Sequence, residues 1–206
     1  VTIKSAEDVW EQKRGDDDQI TRLFVAMVRA AGLKAYGGIV VDGDKSIFEP
    51  NFMRWSQLND ELAIVSIDGK EVYFDPGQQY CEFSKLHWKH AGAGGLRQTD
   101  HGVEQFSTPW QTFKDNSVTR RARLALSPTG QVTGTIYELM SGAQALTWRQ
   151  VALRGDEAAL KKRFDDDLKG SMPPGVTATV NHFVGLTDFH DLLMVIVDVS
   201  GPMGTT

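Results

Sequence analysis

The chain has one cysteine, Cys81, among 206 residues. No internal disulfide framework can hold it together, although many secreted bacterial proteins also lack disulfides, so this leaves the compartment open. It also lacks a basic stripe. Lys and Arg number 22 against 27 Asp and Glu, a net charge of −5, whereas a nucleic-acid or anionic-membrane partner would demand the opposite balance. No apolar run is long enough for a membrane span, and no signal-like segment follows Val1. This fits a mature or excised fragment of a larger protein. No internal repeat is evident. What is present suffices for a buried core: 41% hydrophobic residues over this length accommodate one large or two small domains.

The best-punctuated stretch runs from Gly15 to Gly32. Ile20, Leu23, Phe24, Met27, Val28 and Ala31 recur at the three-and-four spacing that gathers apolar side chains on one helical face. Asp16 with Gln19 three residues on is a capping pair, and Gly32 stands where a left-handed residue ends a helix. Asp16, Asp17 and Asp18 sit at the helix mouth, where free N–H groups and the helix dipole favour carboxylates. A shorter helix opens at Ser5, with Asp8 as its partner, and is expected to close at Gly15. Arg14-Gly15-Asp16 spells an adhesion tripeptide, but the glycine is needed as a stop and the aspartate as a cap.

Leu33 to Val41 reads as a strand, followed by a turn at Asp42-Gly43-Asp44. The alternation of Asp42, Asp44 and Ser46 lacks the remaining ligands of a calcium loop. Leu62–Ile67 and Glu71–Phe74 flank Asp68-Gly69, a strong hairpin signal, and Asp75-Pro76-Gly77 ends the second strand. From Gln78 to Phe106 periodicity is weak and mostly ordered loop is expected. Its glycine cluster, Ala91 to Gly95, lacks the lysine and hydroxyl residue of a phosphate-binding loop. His87 and His90, with Cys81 nearby, offer too few ligands for zinc and are expected to be surface or packing histidines.

A composition shift at Thr108-Pro109 predicts a second unit over residues 107–206. Arg121–Leu126 and Val132–Met140 form a hairpin pattern. Ala143–Leu153 and Glu157–Leu168 are helical, and Val176–Val184 and Leu192–Val199 complete a β-β-α-α-β-β order. Lys161, Lys162 and Arg163, each four residues before Asp165, Asp166 and Asp167, suit a solvated helix face. His182 and His190 are expected to be structural or exposed.

The element order over residues 5–106 resembles the bacterial transglutaminase-like core, a branch of the papain-like superfamily. The resemblance rests on Gly15-Asp16 opening a helix that ends in Arg29-Ala30-Ala31-Gly32-Leu33, on Leu58-Asn59-Asp60 before an apolar strand, on the hairpin turn Ile67-Asp68-Gly69-Lys70, and on Asp75-Pro76 after the next strand. It implies an α+β fold: a papain-like core of a helix packed on an antiparallel sheet over residues 1–106, truncated at its N-terminus, then an α+β companion over 107–206. It also implies a periplasmic or cell-envelope location in a multidomain bacterial protein.

Where that family carries its nucleophilic cysteine this chain has Asp17, and where it carries its histidine this chain has Asp60; the orienting aspartate, Asp75, is kept. Amide attack needs a thiolate and an imidazole to move the proton, so the family reaction is expected to be absent. The resemblance implies that Asp17, Asp60 and Asp75 converge. Such like charges call for a proton, a basic side chain or a hard cation such as calcium. Alternatively Asp17 caps the helix, Asp60 is exposed in a loop and Asp75 fixes a turn. Three functions follow: an inactive structural or binding module recognising a protein or peptide partner or other domains of its own chain; a hydrolase using the acidic cluster; or a calcium-stabilised interaction domain. No other cofactor is expected. Trp10, Trp55 and Trp88 are the candidate ligand-binding aromatics.

Overall fold

The computed structural model describes residues 3–52 and 54–203. Among them the chain forms four α-helices and nine strands, in two compact units that divide between Gln111 and Thr112. The class is α+β with antiparallel sheets.

In the first unit, α1 (Ala6–Gln12) begins with a capping box in which the Ser5 side chain and Asp8 bond one another's backbone N–H groups. It stops before Gly15. Lys13 adopts the left-handed conformation at φ 55°, and its ammonium lies 3.6 Å from the centre of the Trp10 ring. A cation–π contact thus accompanies a helix end that glycine was expected to supply. α2 (Asp17–Ala30) is capped reciprocally by Asp16 and Gln19, as the spacing predicts.

The five-stranded sheet has the order β3-β2-β1-β4-β5, with β1 Ala35–Val40, β2 Asp60–Ile67, β3 Lys70–Phe74, β4 Gly94–Thr99 and β5 Gly102–Ser107. Asp68 and Gly69 turn β2 into β3 with φ of 51° and 74°, the paired positive values a tight hairpin favours. The last two strands replace the loop expected from Gln78 to Phe106. Glycine and polar residues hide their strand signal: Gly95 pairs opposite Val40 where the backbones approach so closely that a Cβ would overlap the Ile39 carbonyl. Alternation divides the sheet between two cores. Ala35, Ala63 and Val65 meet Phe24, Val25 and Val28 of α2. Val40, Leu62 and Ile64 face the other way, toward Leu86 and Ala93.

In the second unit, β6 (Ser117–Leu126), β7 (Gln131–Ser141), α3 (Gly142–Ala152), α4 (Glu157–Lys169), β8 (Thr177–Val184) and β9 (Leu193–Pro202) give a sheet of order β6-β7-β9-β8. Val195, Val197 and Val199 pack with Trp148 of α3 and Leu160, Phe164 and Leu168 of α4. The fully buried Phe164 ring lies between Trp148 and Phe183, with centroids 4.6 and 5.6 Å away. Lys161 pairs with Glu157 one turn back rather than with Asp165, whose carboxylate accepts the Val180 N–H.

Candidate functional site

The hairpin register decides where Asp60 and Asp75 point. Ala63 pairs with Phe74, so Asp75, one residue beyond, falls beside Leu62, and Asp60 lies two residues further along the same face. Asp60 is therefore the first residue of β2, largely buried, rather than an exposed loop residue.

A single imidazole fills the space between the two carboxylates. A 3-10 turn, Trp88–His90, follows the loop after β3 and inserts His90, whose side chain is 1% exposed. Its Nδ1 lies 2.8 Å from Asp75 Oδ1, and its Nε2 lies 3.2 Å from Asp60 Oδ2. The other Asp75 oxygen accepts the His87 N–H at 2.6 Å, and Lys89 Nζ stands 2.9 Å from Asp60 Oδ2. The contacts at Asp60 Oδ2 depart from hydrogen-bond directions and are ion pairs, whereas the Asp75 contacts are aligned hydrogen bonds. Two carboxylates thus face one imidazolium and one ammonium, and the group is close to neutral.

This arrangement sets the protonation states. Burial by itself depresses the His90 pKa, but the contacts with Asp60 and Asp75 outweigh it and raise the value to about 9. Burial would likewise raise Asp60, yet His90 and Lys89 bring it down to about 2. Burial pushes the Cys81 thiol up, and the nearby Asp75 and Glu82 carboxylates add to the effect. Cys81 sits beyond the β3 end, and its thiol donates to the Lys85 carbonyl, 3.4 Å away.

Asp17 takes a different place. It lies exposed in the first turn of α2 rather than capping it, a role Asp16 fills, and its carboxylate accepts a 2.8 Å hydrogen bond from Gln78 Nε2. Its carbonyl accepts the Thr21 hydroxyl at 2.9 Å and packs on Gly77, where any Cβ would overlap it. The helix mouth is thus fastened to the chain just past Asp75-Pro76. The structure brings Asp60 and Asp75 onto one imidazole and leaves Asp17 beside them on Gln78. A basic side chain enters between the carboxylates, one of the outcomes the expected like-charge cluster left open. Beside the cluster, burial raises the Asp18 pKa, helped by the charges of Glu61 and Asp60. Among the described residues no group of three or more His, Cys, Asp or Glu side chains is arranged to hold a metal ion.

The tryptophans do not form a roof over these aspartates. Trp88 lines a cavity of about 820 Å³ and Trp55 one of about 450 Å³, while a third, of about 560 Å³, is walled by Tyr36 and Lys34. None of the three is lined by Asp17, Asp60 or Asp75. Trp10 is exposed beneath Lys13 and lines none of them.

The spacing of His87 and His90 points only to surface or packing histidines; both are buried, and His90 is an ionic partner of two carboxylates. Only charge balance hints at it: two carboxylates converging from a hairpin require a cation, and Lys89-His90 is a basic pair a short loop away. Comparison with family models, with curated proteins and with solved structures found no match to this chain.

Proposed function

We propose that residues 5–106 are a transglutaminase-like core without catalytic activity, serving as a structural or ligand-binding module of a larger, envelope-associated bacterial protein. The observation that carries this is His90 held between Asp60 and Asp75 with both ring nitrogens facing carboxylates. An imidazolium so fixed has no lone pair to accept a nucleophile's proton at neutral pH. The helix mouth offers Asp17, a weak nucleophile toward amides, and its carboxylate is engaged by Gln78.

The element order supports the family part of the proposal: a capped helix, a strand, then a hairpin with Asp60 at its start and Asp75 just past its end. The envelope location follows from that resemblance. Acid–base hydrolysis by the cluster is disfavoured because Asp60 is held ionised by two cations, whereas a general acid needs a raised pKa.

The test is incorporation of a fluorescent primary amine into a glutamine-containing protein, together with hydrolysis of the same substrate. The expected result is no turnover above the blank. Turnover that disappears in Asp17→Ala would overturn the proposal.

A further inference from the structure

The cavity of about 820 Å³ in the first unit is built around glycines. Gly92 lies in the turn before β4 and Gly94 opens the strand, and a Cβ at either would overlap an aromatic ring, Trp110 at the first and Phe48 at the second. The two rings rest directly on backbone. The segment after β5 that carries Trp110 is itself fixed: Thr108 N donates to the Ala93 carbonyl at 2.9 Å, the Ala93 N–H donates to Thr108 Oγ1 at 2.8 Å, and the Gly92 N–H donates to the Pro109 carbonyl at 3.1 Å. Yet Trp110 remains 79% exposed. A large aromatic ring seated on one face and open on the other costs apolar exposure without adding much to the core, which marks a contact surface rather than a packing residue.

A third ring, Trp88, is oriented by its Nε1–H, which donates to the Asp44 carboxylate at 2.9 Å. That bond occupies the indole donor and the His87 ring centre lies 3.6 Å from that of Trp88, so Trp88 is left to make contact through the part of its ring that lines the cavity. Among the described residues Asp44 is the one charged side chain lining the cavity, and the other polar side chains are Ser46, Gln105 and Ser107. An anion would meet aromatic faces of negative potential and a carboxylate, with no Lys or Arg to receive it. A ligand with apolar C–H faces and neutral hydroxyls meets what it needs: rings to stack on, and carboxylate, amide and hydroxyl groups to bond.

We infer that this cleft binds a neutral oligosaccharide, whose pyranose faces stack on Trp110, Phe48 and Trp88 while its hydroxyls bond Asp44 and Gln105. The inference rests on the first unit being a binding module and names its ligand class.

The test is calorimetric and tryptophan-fluorescence titration of the full chain with cellohexaose, chitohexaose and maltohexaose, and with a proline-rich peptide containing arginine. At least one neutral hexasaccharide should saturate the protein in the micromolar-to-millimolar range typical of shallow sites. Trp110→Ala should weaken it by about tenfold or more, Asp44→Asn should weaken it also, and Trp10→Ala should leave it unchanged. Because Trp110 is exposed, its variant is expected to keep the wild-type circular dichroism and melting temperature. Failure of all three sugars to saturate, binding of the peptide in their place, or equal binding by Trp110→Ala and wild type would overturn the inference. Sugar binding accompanied by amine incorporation would overturn the non-catalytic proposal and leave the inference standing.

Discussion

His90 Nδ1 lies 2.8 Å from Asp75 Oδ1, and this contact turns the far side of the ring, Nε2, toward Asp60. One imidazole thereby bridges the start of β2 and the end of β3. It supplies positive charge to both carboxylates that the sheet register brings together, with Lys89 as a second cationic partner of Asp60.

Removing that charge should destabilise the first unit. His90→Gln leaves Asp75 buried without its ionic partner, and breaking a buried pair from one side costs about 3–5 kcal/mol. Urea denaturation should show a reduced midpoint with an unchanged slope. A loss below about 1 kcal/mol, the size of an exposed ion pair, would mean that water reaches the cluster freely.

Stability should fall on the alkaline side. The His90 pKa is raised from 6.5 to about 9 in the fold, so its contribution is complete below pH 6.5 and disappears as pH rises through about 9. Asp60 is lowered from 3.8 to about 2, so its contribution is present above pH 3.8 and disappears as pH falls toward 2. Both are complete between these limits. The alkaline loss is on the order of 3 kcal/mol, and the slope between pH 6.5 and 9 should flatten in His90→Gln.

The helix mouth predicts a contrast between two neighbours in space. Gly77→Ala places a Cβ on the Asp17 carbonyl, and backbone there has little room to yield; overpacking of this kind costs about 1–3 kcal/mol. Asp17→Ala removes only an exposed bond to Gln78, so its effect should stay within about 0.5–1 kcal/mol. Thermal melts of the two variants would check the order, which should not reverse.

In the second unit, buried Arg149 donates to the carbonyls of Gly185, Asp188 and Asp191 and ties the β8–β9 connection to α3. Arg149→Met retains bulk but leaves three carbonyls short of a charged donor, a loss of about 3 kcal/mol or more from bonds worth about 1.5–3 kcal/mol each. Amide exchange at residues 185–191 should accelerate.

Chelator should not lower the melting temperature. The Asp60 and Asp75 carboxylates already face His90 and Lys89, so this pair is compensated without a cation. A drop on adding EDTA that calcium restores would require a cation elsewhere in the fold.

The fold was legible where local chemistry decides it. The Asp16/Gln19 capping pair and the Asp68-Gly69 turn each state their structure within a few residues, and the second unit's element order follows the same signals. The periodicity of α2 gave the helix but only part of its inward face, since Thr21 and Val25 are buried while Met27 is 50% exposed. β4 and β5 were not legible, because Gly94 and Gly95 carry no strand propensity and make sense only beside the β1 backbone and the Phe48 ring they accommodate. At the candidate site, Asp60 and Asp75 were visible as landmarks, whereas His90 shows only its spacing from His87, and its place between the two carboxylates was not legible. Its role depends on a loop that leaves the end of β3 and returns to the β2–β3 hairpin, a tertiary relationship with no spacing to betray it.

The most direct test is the protonation state of His90, read by 15N NMR of the imidazole as pH is varied. Both ring nitrogens should carry protons at pH 7, with a single titration midpoint near 9. A neutral tautomer at pH 7, with a midpoint at or below the ordinary histidine value of about 6.5, would contradict the account and restore His90 as a base that the site could use.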